Sequence, residues 1–140
     1  MKRFILDTNV LLDIFVFQDL KAEDLKQAII DRKFEFFACQ KTITELVDVI
    51  ARPLFGLEPQ QQSMILNQWQ SLSQFQDDSR LLSAPWNCSD ADDQVFLDLA
   101  FTLKPAILIS KDNDLLQLAK CAAKDDIVIT SNYNIFKSEA

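Results

Sequence analysis

The stretch RFILDTNVLLDIF, residues 3–15, decides the fold. Phe4, Ile5 and Leu6 read as the start of a buried strand, and Val10, Leu11, Leu12, Ile14 and Phe15 resume the apolar run. Between them stand Asp7, Thr8 and Asn9, a charge and two polar groups where the hydrophobic pattern wants none. A first strand that ends on an aspartate needs a reason for the charge.

Working outward, short continuous apolar runs recur at residues 34–39, 106–110 and 127–129, the pattern of strands buried on both faces. Helical periodicity fills the intervals. Leu25, Ala28 and Ile29 mark one helix. Ile43, Leu46, Val47 and Ile50 mark a second, which Arg52-Pro53 ends. Ile65, Trp69 and Leu72 mark a third, Phe96, Leu99, Ala100 and Leu103 a fourth, and Leu115, Leu118, Ala119 and Ala122 a fifth. Strands alternating with helices imply βαβ units with right-handed crossovers, hence an α/β fold with an open, mainly parallel sheet flanked by helices. Only helical signals separate the second and third of these strands, so a helical insertion is expected there. One domain is expected over residues 1–140, long enough to bury a real core.

Composition excludes several chemistries. The chain has no histidine, which removes Ser-His and Cys-His pairs, imidazole bases and the usual zinc sites. A single glycine, Gly56, removes Gly-rich phosphate loops. Cys39, Cys88 and Cys121 are widely spaced and read as reduced thiols of a cytoplasmic protein. No apolar stretch is long enough to span a bilayer. Asp7 and Asp13 interrupt the apolar run behind Met1-Lys2-Arg3, so no signal peptide is expected. The net charge of −7 argues against a general nucleic-acid coat. It leaves room for a nucleic-acid enzyme whose acids are concentrated in one cleft.

In open α/β sheets ligands bind outside the carboxyl ends of the strands. Asp7 follows the first strand, Glu45 lies six residues past the second, and Asp112 and Asp114 follow the third. The segment CSDADDQVFLDLA, residues 88–100, adds Asp90, Asp92 and Asp93 at the start of the helix leading into that third strand. Each acid also has a structural reading. Asp7, Asp112 or Asp114 can cap a helix. Thr42–Glu45 and Ser89–Asp92 both match the capping-box pattern. Taken together these readings fit less well, because carboxylates meeting at one edge repel and raise one another's pKa. A divalent cation removes that cost. Mg²⁺ and Mn²⁺ prefer carboxylate and water oxygens and leave positions open for a substrate phosphate. Metal-assisted phosphodiester hydrolysis then needs no histidine.

The blocks LDTNVLLD (6–13), TELVDVI (44–50), SDADDQVFLDLA (89–100) and ILISKDNDLLQL (107–118) resemble, in order and spacing, the PIN-domain family of metal-dependent nucleases. The nearest likeness is to prokaryotic PIN proteins regarded as toxin components of toxin–antitoxin pairs, akin to VapC-type toxins. The resemblance implies a Mg²⁺- or Mn²⁺-dependent endoribonuclease acting on RNA. It places the acidic site on Asp7, Glu45, Asp93 and Asp112, with Asp114 as a further metal ligand. Asn9, Asp90 and Ser110 become supporting residues, and Asp90 stays open beside Asp93 as the third ligand. This chain departs from the family where Ala91 replaces a proline, Gln94 follows Asp93, and Lys111 replaces a glycine. Lys41, Arg52 and Lys111 are candidate substrate contacts, each also readable as a surface cation. The resemblance further implies a homodimer and a cognate antitoxin. The helix of Ile43 and Ile50, residues 53–57, Trp69 and Trp86 are candidate dimer surface, each also readable as core. Two rivals are a non-catalytic PIN fold used for RNA binding or protein interaction, and a phosphoacceptor receiver domain, which the DTN sequence fits poorly.

Overall fold

The computed structural model describes residues 2–139. The expectation of one domain over residues 1–140 also takes in Met1 and Ala140, which lie outside them. Five parallel strands form one sheet in the order β3-β2-β1-β4-β5. They are β1 (Arg3–Leu6), β2 (Glu35–Cys39), β3 (Gln74–Gln76), β4 (Ala106–Ile109) and β5 (Ile127–Thr130). The helices are α1 (Thr8–Phe15), α2 (Glu23–Ile30), α3 (Gln40–Ile50), α4 (Pro59–Leu72), α5 (Gln94–Leu103), α6 (Asn113–Leu116) and α7 (Ala119–Ala123). None is long and apolar enough to cross a membrane among the described residues.

The apolar runs of the central strands become strands because each side chain finds a core on its own face. In the edge strand β5, Ile127 and Ile129 are buried but Val128 is exposed, so residues 127–129 are covered on one face and not on both. Phe4, Leu6, Phe36, Ala38, Ile107 and Ile109 point to one layer, where α1 to α4 contribute Val10, Leu25, Leu46 and Trp69. Ile5, Phe37, Cys39, Leu108, Ile127 and Ile129 point to the other, against Phe96, Leu97, Leu99 and Ala122 of α5 and α7. Phe4 and Phe36 stack across the β1–β2 ladder with ring centroids 5.3 Å apart. Fully burying side chains of this size is worth about 1.5–3 kcal/mol each.

Three local readings change. The interval between β2 and β4 is not wholly helical: it contains β3, paired with β2 through Phe37–Gln74, Ala38–Phe75 and Cys39–Gln76. Its sequence, Gln-Phe-Gln, is short and carries an exposed Phe75, because an edge strand needs ladder bonds but no apolar run. The fifth helix is two helices, since the Leu118 amide turns back to Leu115 O at 3.0 Å and breaks the repeat between α6 and α7. Helix α3 begins directly after β2, so its capping contacts use Cys39 and Thr42: Cys39 N donates to Thr42 Oγ1 at 3.0 Å. Glu45 therefore sits in the second turn and caps nothing.

The candidate dimer surface also resolves. Trp69 is 2 % exposed, and Ile43, Leu46 and Ile50 are buried, so these residues are core. Trp86 is half-buried, packed edge-on to Phe101 at 5.8 Å. Leu54 alone of residues 53–57 is a strongly exposed large apolar side chain. The strand order differs from the 2-1-3-4-5 order of flavodoxin-like sheets, which removes the receiver-domain rival.

Candidate functional site

From β1 the chain goes on to β2 and β3 on one side of the sheet, and from the neighbouring β4 it goes on to β5 on the other. Such a reversal point opens a crevice at the strands' carboxyl ends. Asp7 and the 110–112 turn stand in it. The Asp7 amide extends the β1–β4 ladder by donating to Ile109 O at 3.0 Å. Asp7 occupies the N-cap position of α1, yet its carboxylate makes no capping bond. Instead Oδ2 accepts 2.6 Å from Ser110 Oγ, with Asp7 3 % and Ser110 0 % exposed. The same Ser110 oxygen accepts the Asp112 amide at 3.0 Å, so one hydroxyl joins the two strand ends. Asp112 does cap its helix, taking the Asp114 amide on Oδ1 at 2.9 Å, while Asp114 lies half-buried in the first turn of α6.

Glu45 reaches this edge from α3. Its Oε2 accepts 2.5 Å from Thr8 Oγ1, the residue after Asp7. Asp93 arrives from the 3-10 turn Ala91–Asp93 that opens α5, and it is 7 % exposed. Asp90 is exposed and caps that turn, accepting the Asp92 amide at 3.0 Å. Gln94 turns away into the scaffold: Nε2 donates to Trp86 O at 3.0 Å and Oε1 accepts the Cys88 amide at 2.7 Å. The geometry thus sets Asp93, rather than Asp90 or residue 94, among the buried acids.

The electrostatics show the cost of this gathering. Burial pushes Asp7 above the usual carboxylate range; Ser110 pulls it down and Asp112 pushes it up again. Burial likewise raises Glu45, opposed by Thr8 and assisted by Asp7. Asp93 is raised to about 8 by burial, then by its hydrogen bond to Asp112 and the charges of Asp7, Asp112 and Asp90. At neutral pH the cluster therefore keeps a proton that an ordinary aspartate would have lost. Every donor is an oxygen, a set suited to a hard cation. Among the described residues no three carboxylates are already gathered tightly enough to hold an ion; Asp7, Glu45 and Asp112 are each turned onto an internal donor.

A groove of about 650 Å³ adjoins the acids between α3 and the start of α5. Glu45 is the member of the acidic set that lines it, so this groove leads up to the buried acids without containing them. Lys41 and Arg52 line it too, Lys41 in the first turn of α3 and Arg52 just past its end. Asp48, Asp92 and Asp98 share the walls, so the groove is mixed in charge. Lys111 is engaged elsewhere: its Nζ lies 2.8 Å from Asp13 Oδ2. Asn9 is exposed on the first turn of α1.

Sequence reasoning missed Asp13 and Tyr133. Asp13 is 3 % exposed and accepts 2.5 Å from Tyr133 Oη as well as the Lys111 ammonium. A charge on a helix that is otherwise apolar, at the sixth residue after Asp7, was the available signal. Asp78 was also unforeseen; its carboxylate accepts the Gln40 and Lys41 amides at 2.6 and 3.0 Å and caps α3.

A search of curated proteins returned no match. The family model described as PIN domain matches residues 3–114. That span holds β1 to β4 and all of the acids from Asp7 to Asp114, so the chain belongs to the PIN-domain family, whose members are in general nucleases.

Proposed function

We propose that the chain is a Mg²⁺- or Mn²⁺-dependent endoribonuclease and the toxin component of a prokaryotic toxin–antitoxin pair. One observation carries the nuclease reading: Asp7, Asp93 and Asp112, from three separate elements, interact, so that Asp93, raised first by burial, is pushed to about 8 with its hydrogen bond to Asp112 and the charges of Asp7 and Asp112 adding to the shift. A proton there does part of what a divalent cation does better, offsetting acids that form no ion pair among the described residues. The toxin assignment, the antitoxin and the homodimer rest on the sequence resemblance.

Asp7, Asp93, Asp112 and Glu45 would hold the ion, with Asp114 beside them. When bound, a divalent cation supplies neutralisation of the charge that builds on phosphorus and on the leaving oxygen, and it lowers the pKa of an attacking water. The protein's part is orientation and proton transfer. Ser110 and Thr8 fix the Asp7 and Glu45 carboxylates by their hydroxyls. Glu45 is half-buried, faces the groove and is raised in pKa by burial, which makes it a stronger base than an exposed glutamate and suits it to take the water's proton. Lys41 and Arg52 can meet phosphates along the groove, while Asp48, Asp92 and Asp98 keep non-specific affinity for polyanions low.

The test is incubation of purified protein with mixed-sequence single-stranded RNA, and with DNA of the same sequence, in Mn²⁺, in Mg²⁺ and in chelator. Internal cleavage of RNA that needs metal and disappears in Asp7→Asn is the expected result. RNA binding without cleavage, by protein that takes up no Mn²⁺, would replace this reading with the non-catalytic module.

A further inference from the structure

Lys111 lies between the two residues that build the 110–112 turn, and its ammonium points away from both. It reaches Asp13 near the end of α1, and Asp13 in turn takes the hydroxyl of Tyr133, from the segment after β5. Both donors converge on the same oxygen, Oδ2, of a carboxylate that is 3 % exposed. Ser110 ties the turn to Asp7 on one side. Lys111 ties it to the far end of the same helix on the other. The Asp112 carboxylate is carried between these two attachments.

Asp13 is buried while the Lys111 side chain is 37 % exposed, so the pair adds little net stability, but the buried carboxylate holds both of its donors in one place. The pair also occupies the one ammonium next to Asp112 in sequence, which keeps that cation off the acids. Tyr133 lies beyond residue 114, where the family match ends, whereas Asp13 and Lys111 lie within it. We propose that Asp13, Lys111 and Tyr133 are positioning residues that clasp the 110–112 turn and thereby set the Asp112 carboxylate against Asp7 and Asp93. The proposal rests on the metal-dependent reading of that site for its purpose, but the clasp can be measured without metal. It also assigns Lys111 a role other than substrate contact.

The experiment uses the full chain and four variants: Asp13→Asn/Lys111→Met, which removes both charges together and leaves none buried and unpaired; Lys111→Met; Tyr133→Phe; and Lys111→Arg. Three readouts are taken: amide hydrogen exchange at Ser110–Asp112 in metal-free protein, Mn²⁺ affinity, and kcat and KM on single-stranded RNA. The double variant should exchange the Asp112 amide about tenfold faster and bind Mn²⁺ about tenfold more weakly, with kcat lowered and KM unchanged. Tyr133→Phe should move the same readouts less, and Lys111→Arg should restore them. Unchanged exchange at 110–112 in the double variant overturns the clasp, whatever happens to activity. A rise in KM alone in Lys111→Met also overturns it, since that makes Lys111 a substrate contact. Faster exchange in a protein whose wild type binds no Mn²⁺ upholds the clasp and removes the nuclease reading instead.

Discussion

The Ser110 hydroxyl donates a 2.6 Å hydrogen bond to Asp7 Oδ2 across 103 residues of chain, joining the carboxyl ends of adjacent strands β1 and β4. Because the same oxygen accepts the Asp112 amide, the spacing of two acids is set by one side chain. Asp7 is therefore held as a buried carboxylate that burial and Asp112 both disfavour in its charged form.

Replacing Asp7 should separate activity from stability. Asp7→Asn keeps an acceptor for Ser110 and removes a disfavoured charge, so metal-free protein should gain about 1 kcal/mol in urea unfolding. RNA cleavage should fall about 10³-fold, the loss of roughly 4 kcal/mol of transition-state stabilisation. A variant that is both less stable and fully active would show that the Asp7 carboxylate serves the fold, through its bond with Ser110, and not the cleavage.

The metal-free protein should be less stable at higher pH across the neutral range. Asp93 is lifted from its ordinary 3.8 to about 8, so between those values the folded state holds a proton that the unfolded chain has released. Stability then falls as pH rises through that window. The raised Asp7 and Glu45 act in the same direction. Asp13 acts oppositely: burial alone would raise it, but Lys111 and Tyr133 bring it below its ordinary value, and its contribution is lost only on acidification. Urea midpoints in chelator at pH 5, 6.5 and 8 should decline in that order, and Asp93→Asn should flatten the decline. A rising midpoint would count against the buried acid cluster.

Thr8→Val tests the donor behind Glu45 with a side chain of nearly the same shape. Losing the Thr8 hydroxyl should cost about 1 kcal/mol of stability and about tenfold in cleavage rate. Without a donor that favours its charged form, Glu45 should titrate higher still, so the acid limb of the pH–rate profile should move to higher pH. An unmoved limb would mean that Glu45 takes no proton in the reaction.

Gly56 offers a control remote from the acids. It ends the turn Pro53–Phe55 at φ 60°, in left-handed backbone, and a Cβ there would meet nothing within 4 Å. Gly56→Ala should therefore cost only the backbone term, about 1 kcal/mol, with cleavage unchanged. Urea unfolding beside a cleavage assay checks both halves.

The sequence made β1, β2 and β4 legible because they sit at the centre of the sheet, where both faces are packed and every residue after the first of β1 and β2 is apolar. Strand β5, at one edge, was legible because Ile127, Val128 and Ile129 keep an apolar run although Val128 is exposed. Edge strand β3 was not legible for the same reason in reverse: its Phe75 is exposed, and ladder bonds leave no mark on composition. The acids were readable as a group because strand-end positions in a parallel sheet converge. Which acid would be buried was not readable. Asp90 and Asp93 differ by three positions in an acidic run, and only the 3-10 turn Ala91–Asp93 sends one outward and the other in. Asp13 and Tyr133 stand 120 residues apart, and no local pattern connects them.

The most direct measurement is a calorimetric titration of metal-free protein with Mn²⁺ at pH 7 in two buffers of different ionisation heat. If the strand-end carboxylates hold the ion, binding should release about one proton, from Asp93, and the signal should be lost in Asp7→Asn. Absence of binding, or binding without proton release that survives Asp7→Asn, would contradict the account: the ion would then sit elsewhere or nowhere, and the acids would serve the fold alone.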